Sequence, residues 1–420
     1  MKFKKFWKTL GPGLVTGAAD DDPSGIATYS QIGAQSGFGL SFLSVFSFPL
    51  LSVIGEMSAR IGIVTGTGLS TNIKRHYSRA VLYGCTVLLL FANILNIGAN
   101  LGAMAEASKL LYPGLNFGAL VVGFAVFTLL LQVFIPYKTY AKYLKYIALV
   151  LLAYIFSALS VREIEWSRAL YSTFVPTISF SKEIVILVCA GLGTTISPYL
   201  FFWETSQEVE EQIMHGDKTE YSRILHTTSK DIWNMRLDVW TGMFISNLVM
   251  FFIIAASAAT LYASGITNIE TAADAASALR PFAGDFAFVL FAAGIIGTGL
   301  LAIPVLAGSA SYAVAESFGW KEGLFQKLKK AGAFYGVIAL SIIIGILLNF
   351  VGIDPIKALI YSATLNGIIS PIILFLIVRI AGRDDIMGPF KSSSFESGVG
   401  WFATALMAVV SVLAIYFILA

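Results

Sequence analysis

Three carboxylates and a proline, Asp20-Asp21-Asp22-Pro23, interrupt the first of a long series of apolar windows, within the run Ala19-Asp20-Asp21-Asp22-Pro23-Ser24-Gly25. A charge at membrane depth is expensive, so such residues face a cavity or a partner and mark an ion or substrate path. Proline removes a helical N–H and disfavours helix at the residue before it, which predicts a break around Asp22–Pro23. Irregular backbone at that depth is tolerated only where it is buried in protein or lines a site. The segment therefore points to a transporter.

The bilayer reading rests on composition. Of the 420 residues 57% are hydrophobic and only 13% charged, against about 25% charged in soluble domains, and the mean hydropathy is +0.78. With 28 basic and 25 acidic residues the chain lacks the basic face that nucleic acid requires. Cys85 and Cys189 lie in apolar runs and read as small buried hydrophobes rather than a disulfide or zinc pair. The basic stretch from Met1 to Lys8 runs into Pro12 and the three aspartates, a poor signal-peptide core, and is expected to be retained.

Windows of spanning length recur near 10–33, 38–59, 81–108, 117–136, 142–160, 184–206, 236–262, 282–315, 331–351, 356–380 and 398–419. These are numbered spans one to eleven. With the N-terminus in the cytoplasm, every basic residue except Lys109, Arg162, Arg168, Lys182, Arg280 and Lys357 falls on the cytoplasmic side, as the positive-inside rule expects. Span six carries a second interruption, Gly191-Leu192-Gly193-Thr194-Thr195-Ile196-Ser197-Pro198-Tyr199. It opens the second group of five spans as the Asp-Pro break opens the first, and an odd count of five inverts the second group. Paired Gly/Pro interruptions at corresponding places in two halves are the sequence pointer to a transporter site.

At these residues the chain resembles the Nramp family of divalent-metal transporters. The family's Asp-Pro-Gly-Asn reads here Asp22-Pro23-Ser24-Gly25, and its opening Gly-Pro-Gly is Gly11-Pro12-Gly13. Its Ala-Arg-Leu-Gly-Val-Val-Thr-Gly is similar to Ala59-Arg60-Ile61-Gly62-Ile63-Val64-Thr65-Gly66, and its Ala-Thr-Val-Met-Pro-His to Thr194-Thr195-Ile196-Ser197-Pro198-Tyr199. The resemblance implies an all-α, LeuT-type inverted repeat of five plus five helices with helices one and six broken at mid-membrane. It gives a single transporter domain over 1–420, with a first repeat at about 10–160, a second at about 184–380 and an extra helix at about 398–419.

Carried over by the resemblance, the metal site comprises Asp22, Gly25, Ser197 and the carbonyls of Ala19 and Thr194, with Asn366 in the place of a tenth-span glutamine. The carboxylate survives, whereas the family's asparagine amide and methionine thioether do not. Thioether favours soft transition metals, and serine supplies a hard oxygen. Glycine at 25 leaves space for an ion that keeps part of its water, as Mg2+ does. The pattern resembles the Nramp-related magnesium transporters. The family's two sixth-span histidines correspond to Tyr199 and Glu204, and its third-span acids to Ile97 and Asn100. His76, His215 and His226 lie in cytoplasmic segments, so the usual titrating group is missing from the spans.

The expected function is therefore uptake of Mg2+, and also of Mn2+, by alternating access at the cell membrane, without proton coupling. No resident cofactor and no obligate protein partner are expected; the substrate is the divalent cation and the surroundings are the lipid bilayer. The alternatives are a proton-coupled Mn2+/Fe2+ importer and, more distantly, a LeuT-type amino-acid permease, whose carboxylate substrate the aspartates would repel. Of Asp20 and Asp21, one is expected to face a water-filled vestibule and the other to pair with a polar group, the functional alternative being that they attract cations at a cavity mouth; Tyr199, Glu204 and Asn100 are placed along the pathway. Asn93, Asn96 and Asn100 share one helix face and read chiefly as interhelical hydrogen-bonding residues. Glu56 is expected to pair with Arg60 at i+4, and Glu204–Glu211 to form a solvated helix end. No metal-ligand motif or nucleophile–base pair suggests an enzyme.

Overall fold

The computed structural model describes residues 11–135, 152–160, 164–177, 180–280 and 284–420, and these residues form helices and loops without strands. The first span is two half-helices, α1 (Pro12–Asp20) and α2 (Pro23–Ser36). They are followed by α3 (Phe42–Thr65), α4 (Leu69–His76), α5 (Arg79–Leu111), α6 (Phe117–Phe134), α7 (Leu152–Ser160) and α8 (Trp166–Phe174). The sixth span is again split, into α9 (Lys182–Thr195) and α10 (Pro198–Met214). The chain continues with α11 (Glu220–His226), α12 (Ser229–Ser257, ending in a π-turn over Ala258–Tyr262), α13 (Ala272–Ser277) and α14 (Ala287–Phe318). It closes with α15 (Gly332–Leu348), α16 (Pro355–Ala381), α17 (Asp384–Met387) and α18 (Ser394–Leu419).

Among the described residues eight helices are long and apolar enough to cross a membrane, the split sixth span counting as one, and α15 is a shorter apolar helix. With the half-helices of span one these occupy ten of the eleven expected windows. Most of span five lies outside the described residues, as do Lys2, Lys4, Lys5, Lys8, Lys138, Lys142, Lys145 and Arg162.

Both breaks are built alike. Helix α1 stops at Asp20, Asp21 turns away (φ −84°, ψ 48°), and Asp22 takes an extended N-cap conformation ahead of Pro23 at the first helical position. Helix α9 stops at Thr195, Ile196 turns away (φ −101°, ψ 60°), and Ser197 holds the N-cap position of α10, without a side-chain cap bond, ahead of Pro198. Proline is suited to that first position because its missing N–H would have no helical partner there. Each break leaves a helix C-terminus, whose last carbonyls have no partner within the helix and form the negative end of its dipole, in the protein interior.

Glycine brings the broken helices against their supports. A Cβ at Gly17 would sit 2.4 Å from the Gly242 carbonyl on α12, and one at Gly193 would sit 2.4 Å from the Gly367 nitrogen on α16. Small residues let membrane helices approach this closely, where dispersion and polar contacts replace a hydrophobic driving force. These two contacts hold the breaks side by side, with α2 also packed against α9 and α16.

Candidate functional site

Asp20, Asp21 and Asp22 are all fully buried. The Asp22 carboxylate is held by four donors. Its Oδ1 accepts from the Gly25 backbone N–H at 2.8 Å and the Ser24 hydroxyl at 2.5 Å; its Oδ2 accepts from the Asn96 and Asn100 amides at 3.2 and 3.1 Å. The first is the N-cap bond of α2, which the Asp-Pro-Ser-Gly sequence encodes locally. The amides come from α5, one turn apart, so that both reach the same oxygen.

Asn96 and Asn100 meet Asp22, while Ile97 points at α15, where its Cγ2 lies 2.9 Å from the Cβ position of Gly345. Asn93 alone of the three asparagines is wholly an interhelical residue, donating to the Leu306 carbonyl and to Ser309 on α14.

The other residues carried over from the motif converge on the same place. The Ser197 hydroxyl donates back to the Gly193 and Thr194 carbonyls at 2.6 and 2.9 Å, which closes the end of α9. The Tyr199 hydroxyl donates to the Ala19 carbonyl at 2.9 Å. Ser24 and Thr194 bring their hydroxyl oxygens to 3.4 Å across the two breaks. Asn366 is buried on α16, and neither atom of its amide has a hydrogen-bond partner among the described residues. Gly25 does not open the space expected of it. A Cβ there would meet the Asp20 carbonyl at 3.1 Å and the Tyr29 ring at 3.3 Å, because the chain folds tightly over the break.

Neither Asp20 nor Asp21 faces a vestibule or a cavity mouth; both turn inward and pair with the Ser246 hydroxyl on α12, at 2.5 and 3.3 Å. Their neighbours are therefore different from those of Asp22. Among the described residues no lysine, arginine or histidine forms an ion pair with any of the three aspartates, and no three His, Cys, Asp or Glu side chains converge as a ready-made metal cage. An ion held here would draw on one or two carboxylates, carbonyls and hydroxyls, and complete its shell with water, the pattern hard cations accept.

Two cavities flank the site. One, about 580 Å³, opens beside the N-terminus of α1 and is lined by Glu208, Glu211, Asp217, Asp231 and Asp238 among others. The second, about 680 Å³, lies beyond the C-terminus of α2 around Gly37, Arg168 and Tyr262. The aspartates at the break are sealed from both. Asp238 caps α1 by accepting from the Gly13 and Leu14 N–H groups, and Glu204 accepts from Thr16 one turn before Asp20.

The stretch Glu204–Glu211 is thus not a solvated helix end. Glu204, Glu208 and Glu210 are buried because α10 packs between α3 and α14. Glu210 accepts from the Tyr312 hydroxyl and from the Leu324 and Phe325 N–H groups. The Glu56–Arg60 pair forms as expected at 3.2 Å and extends to Arg236 and Glu396, tying α3, α12 and α18 together. Ser246, Thr16 and Tyr29 went unremarked in the sequence. Each is an ordinary polar residue in an apolar run; packing brings Ser246 and Tyr29 to the aspartates and Thr16 to Glu204.

The break geometry is that of a transporter, and comparison with known proteins decides the family. The family model described as natural resistance-associated macrophage protein-like, Nramp, matches residues 13–419. The chain belongs to the Nramp family. Nramp proteins are membrane transporters and not enzymes. The Nramp chain is 25% identical over 423 residues to a divalent metal cation transporter MntH of Caldanaerobacter subterraneus subsp. tengcongensis, covering 99% of this chain and 94% of that one. In fold it is similar to the manganese transporter of Eremococcus coleocola, with a TM-score of 0.74 and 16% identity over 98% of this chain and 87% of the other. It is similar at a TM-score of 0.52 and 14% identity to the inward-facing conformation of Mhp1, over 97% and 90% of the two chains. The LeuT-type architecture that the resemblance implies is the fold observed.

Proposed function

We propose that this protein carries divalent metal cations across the cell membrane by alternating access, with Mg2+ preferred over Mn2+, the ion partly hydrated and no proton moved in exchange. The observation that carries this reading is the chemistry of the break. One fully buried carboxylate, Asp22, is surrounded by hydroxyls, amides and carbonyls, with Ser197 where a thioether would select a soft ion. The proposed ligands are Asp22, the carbonyls of Ala19 and Thr194, Ser197 through water and the unpartnered amide of Asn366, with Gly25 closing the turn. The two repeats are taken as about 10–160 and 184–380, with the N-terminus and the acidic cavity facing the cytoplasm.

The four neutral donors on Asp22 support uncoupled transport. A carrier must return without its cargo, and an unaccompanied carboxylate in the protein interior is costly. Here Asn96, Asn100, Ser24 and the Gly25 N–H compensate the carboxylate in the closed state, a task that a proton performs elsewhere.

A proton-coupled manganese importer is the second reading. Its metal is favoured by the similarity to a manganese transporter, and its coupling by the acidic series Glu204, Asp238 and Glu208 between the break and the cavity. The deciding experiment is uptake of Mg2+ and Mn2+ into proteoliposomes containing a trapped pH dye. Uptake of Mg2+ without acidification, lost in Asp22→Asn, supports the proposal; acidification that tracks Mn2+ entry and vanishes in Glu204→Gln supports the alternative. Asparagine is the informative replacement, because it still caps α2 while removing the charge.

A further inference from the structure

The break holds more negative charge than the Asp22 site uses. Asp22 has four donors for its two oxygens. Asp20 and Asp21 together present four oxygens and share the single hydroxyl of Ser246, which has one proton to give. Asp20 Oδ1 and Asp21 Oδ2 have no hydrogen-bond partner among the described residues, and both residues are completely buried. Buried polar atoms are satisfied in the great majority of cases, and a buried carboxylate with neither donor nor cation is strongly unfavourable.

The neighbours do not relieve this. No ion pair reaches Asp20 or Asp21 among the described residues. The phenol of Tyr29, which lies near both aspartates, is engaged with Thr195 at 3.1 Å. The Asn96 and Asn100 amides are committed to Asp22. The unpartnered oxygens therefore belong to a second acidic centre, supported by α12, whereas Asp22 is supported by α5.

We propose that Asp20, Asp21 and Ser246 form a second divalent-cation position beside the Asp22 site, a way station between the break and the acidic cavity at the N-terminus of α1. The inference rests on the reading of Asp22 as a site for a hard divalent ion. Two carboxylates balance the charge of one such ion, the Ser246 oxygen supplies a third ligand when its hydroxyl rotates, and water completes a shell of the kind Mg2+ keeps. From there the ion passes Glu204, bonded to Thr16 on the same half-helix, and reaches Asp238 and Glu208 in the cavity wall.

The test is the number of Mg2+ ions bound per purified full-length chain at saturation, by equilibrium dialysis in detergent, with size-exclusion profiles to check folding. The wild type is expected to bind two, Asp22→Asn one, and the Asp20→Asn/Asp21→Asn variant one. A wild type that binds a single ion, or an Asp20→Asn/Asp21→Asn variant that loses none, overturns the second position. Displacement of one of the two ions by Na+ alone also overturns its assignment as divalent. Asp22→Asn without loss would instead overturn the role given to Asp22 and leave the second position to stand on its own arm. Should the double variant not fold, Ser246→Cys serves. A thiolate ligand is expected to raise Cd2+ affinity at one of the two positions, and unchanged Cd2+ binding overturns the proposal.

Discussion

The hydroxyl of Tyr199, in the first turn of α10, donates to the backbone carbonyl of Ala19, near the end of α1, at 2.9 Å. One bond thus joins the two interrupted spans and occupies a carbonyl that the cation would otherwise use. An ion that takes the Ala19 oxygen competes with the phenol for it, so binding and the separation of α1 from α10 are linked. Tyr199→Phe removes the donor and keeps the ring. The expected result is a stability loss of about 1 kcal/mol, the usual net worth of one such bond, with a lower half-saturation concentration for Mg2+ uptake. An unchanged half-saturation concentration would remove Ala19 from the ligand set.

The Asn96 and Asn100 amides hold Asp22 Oδ2 from α5, and under the proposed function they compete there with the cargo. Replacing either by alanine leaves the carboxylate with fewer donors and more to gain from an ion. Tighter Mg2+ binding with slower turnover is expected, because the empty carrier then returns with a poorly compensated charge. Equilibrium binding and uptake velocity measured on the same preparation separate the two effects. Weaker binding in Asn100→Ala would show that the amide is itself a ligand.

The two breaks were legible because proline, glycine and aspartate leave few conformations at membrane depth. The non-helical residues are Asp21–Asp22 and Ile196–Ser197, immediately before Pro23 and Pro198. Helix packing was less legible. The direction in which Asn96 or Ile97 points depends on the rotation of α5 about its axis, and a nearly uniform apolar composition leaves that rotation to contacts such as Gly345 against Ile97. The burial of Glu204, Glu208 and Glu210 was hidden for a related reason. A run of glutamates looks solvated until the hydroxyls and N–H groups of distant segments arrive, as Tyr312, Leu324 and Phe325 do at Glu210.

Soft-metal selectivity should be restorable at one position and not at the other. Ser197→Met places a thioether at the break and is expected to shift competition from Mg2+ towards Mn2+ and Cd2+. Gly25→Asn is expected to fail, since the Cβ would lie 3.1 Å from the Asp20 carbonyl and press on Tyr29. Rank orders of competing ions in the uptake assay test the first variant, and thermal stability the second. A Gly25→Asn protein as stable as the wild type would mean that the fold over the break relaxes readily.

Glu322 offers a pH test away from the transport site. It lies half-buried in the loop after α14, with Oε2 unpartnered among the described residues. Burial, with Glu316 and Glu210 beside it, pushes its carboxyl up from 4.5 to about 10, against the smaller opposing influence of Arg223 and Lys74. The folded protein therefore keeps this proton when the unfolded chain has lost it. Below about pH 4.5 both states are protonated and the group contributes nothing. As the pH rises above that point the unfolded state ionises first, and stability falls by at most about 1.4 kcal/mol per pH unit for one such group. Glu322→Gln abolishes that dependence. The variant should melt with the wild type near pH 4 and above it at pH 8, in unfolding scans at matched detergent and ionic strength. Equal melting temperatures at pH 8 would mean that Glu322 is ionised in the folded protein, held by Arg223 and Lys74.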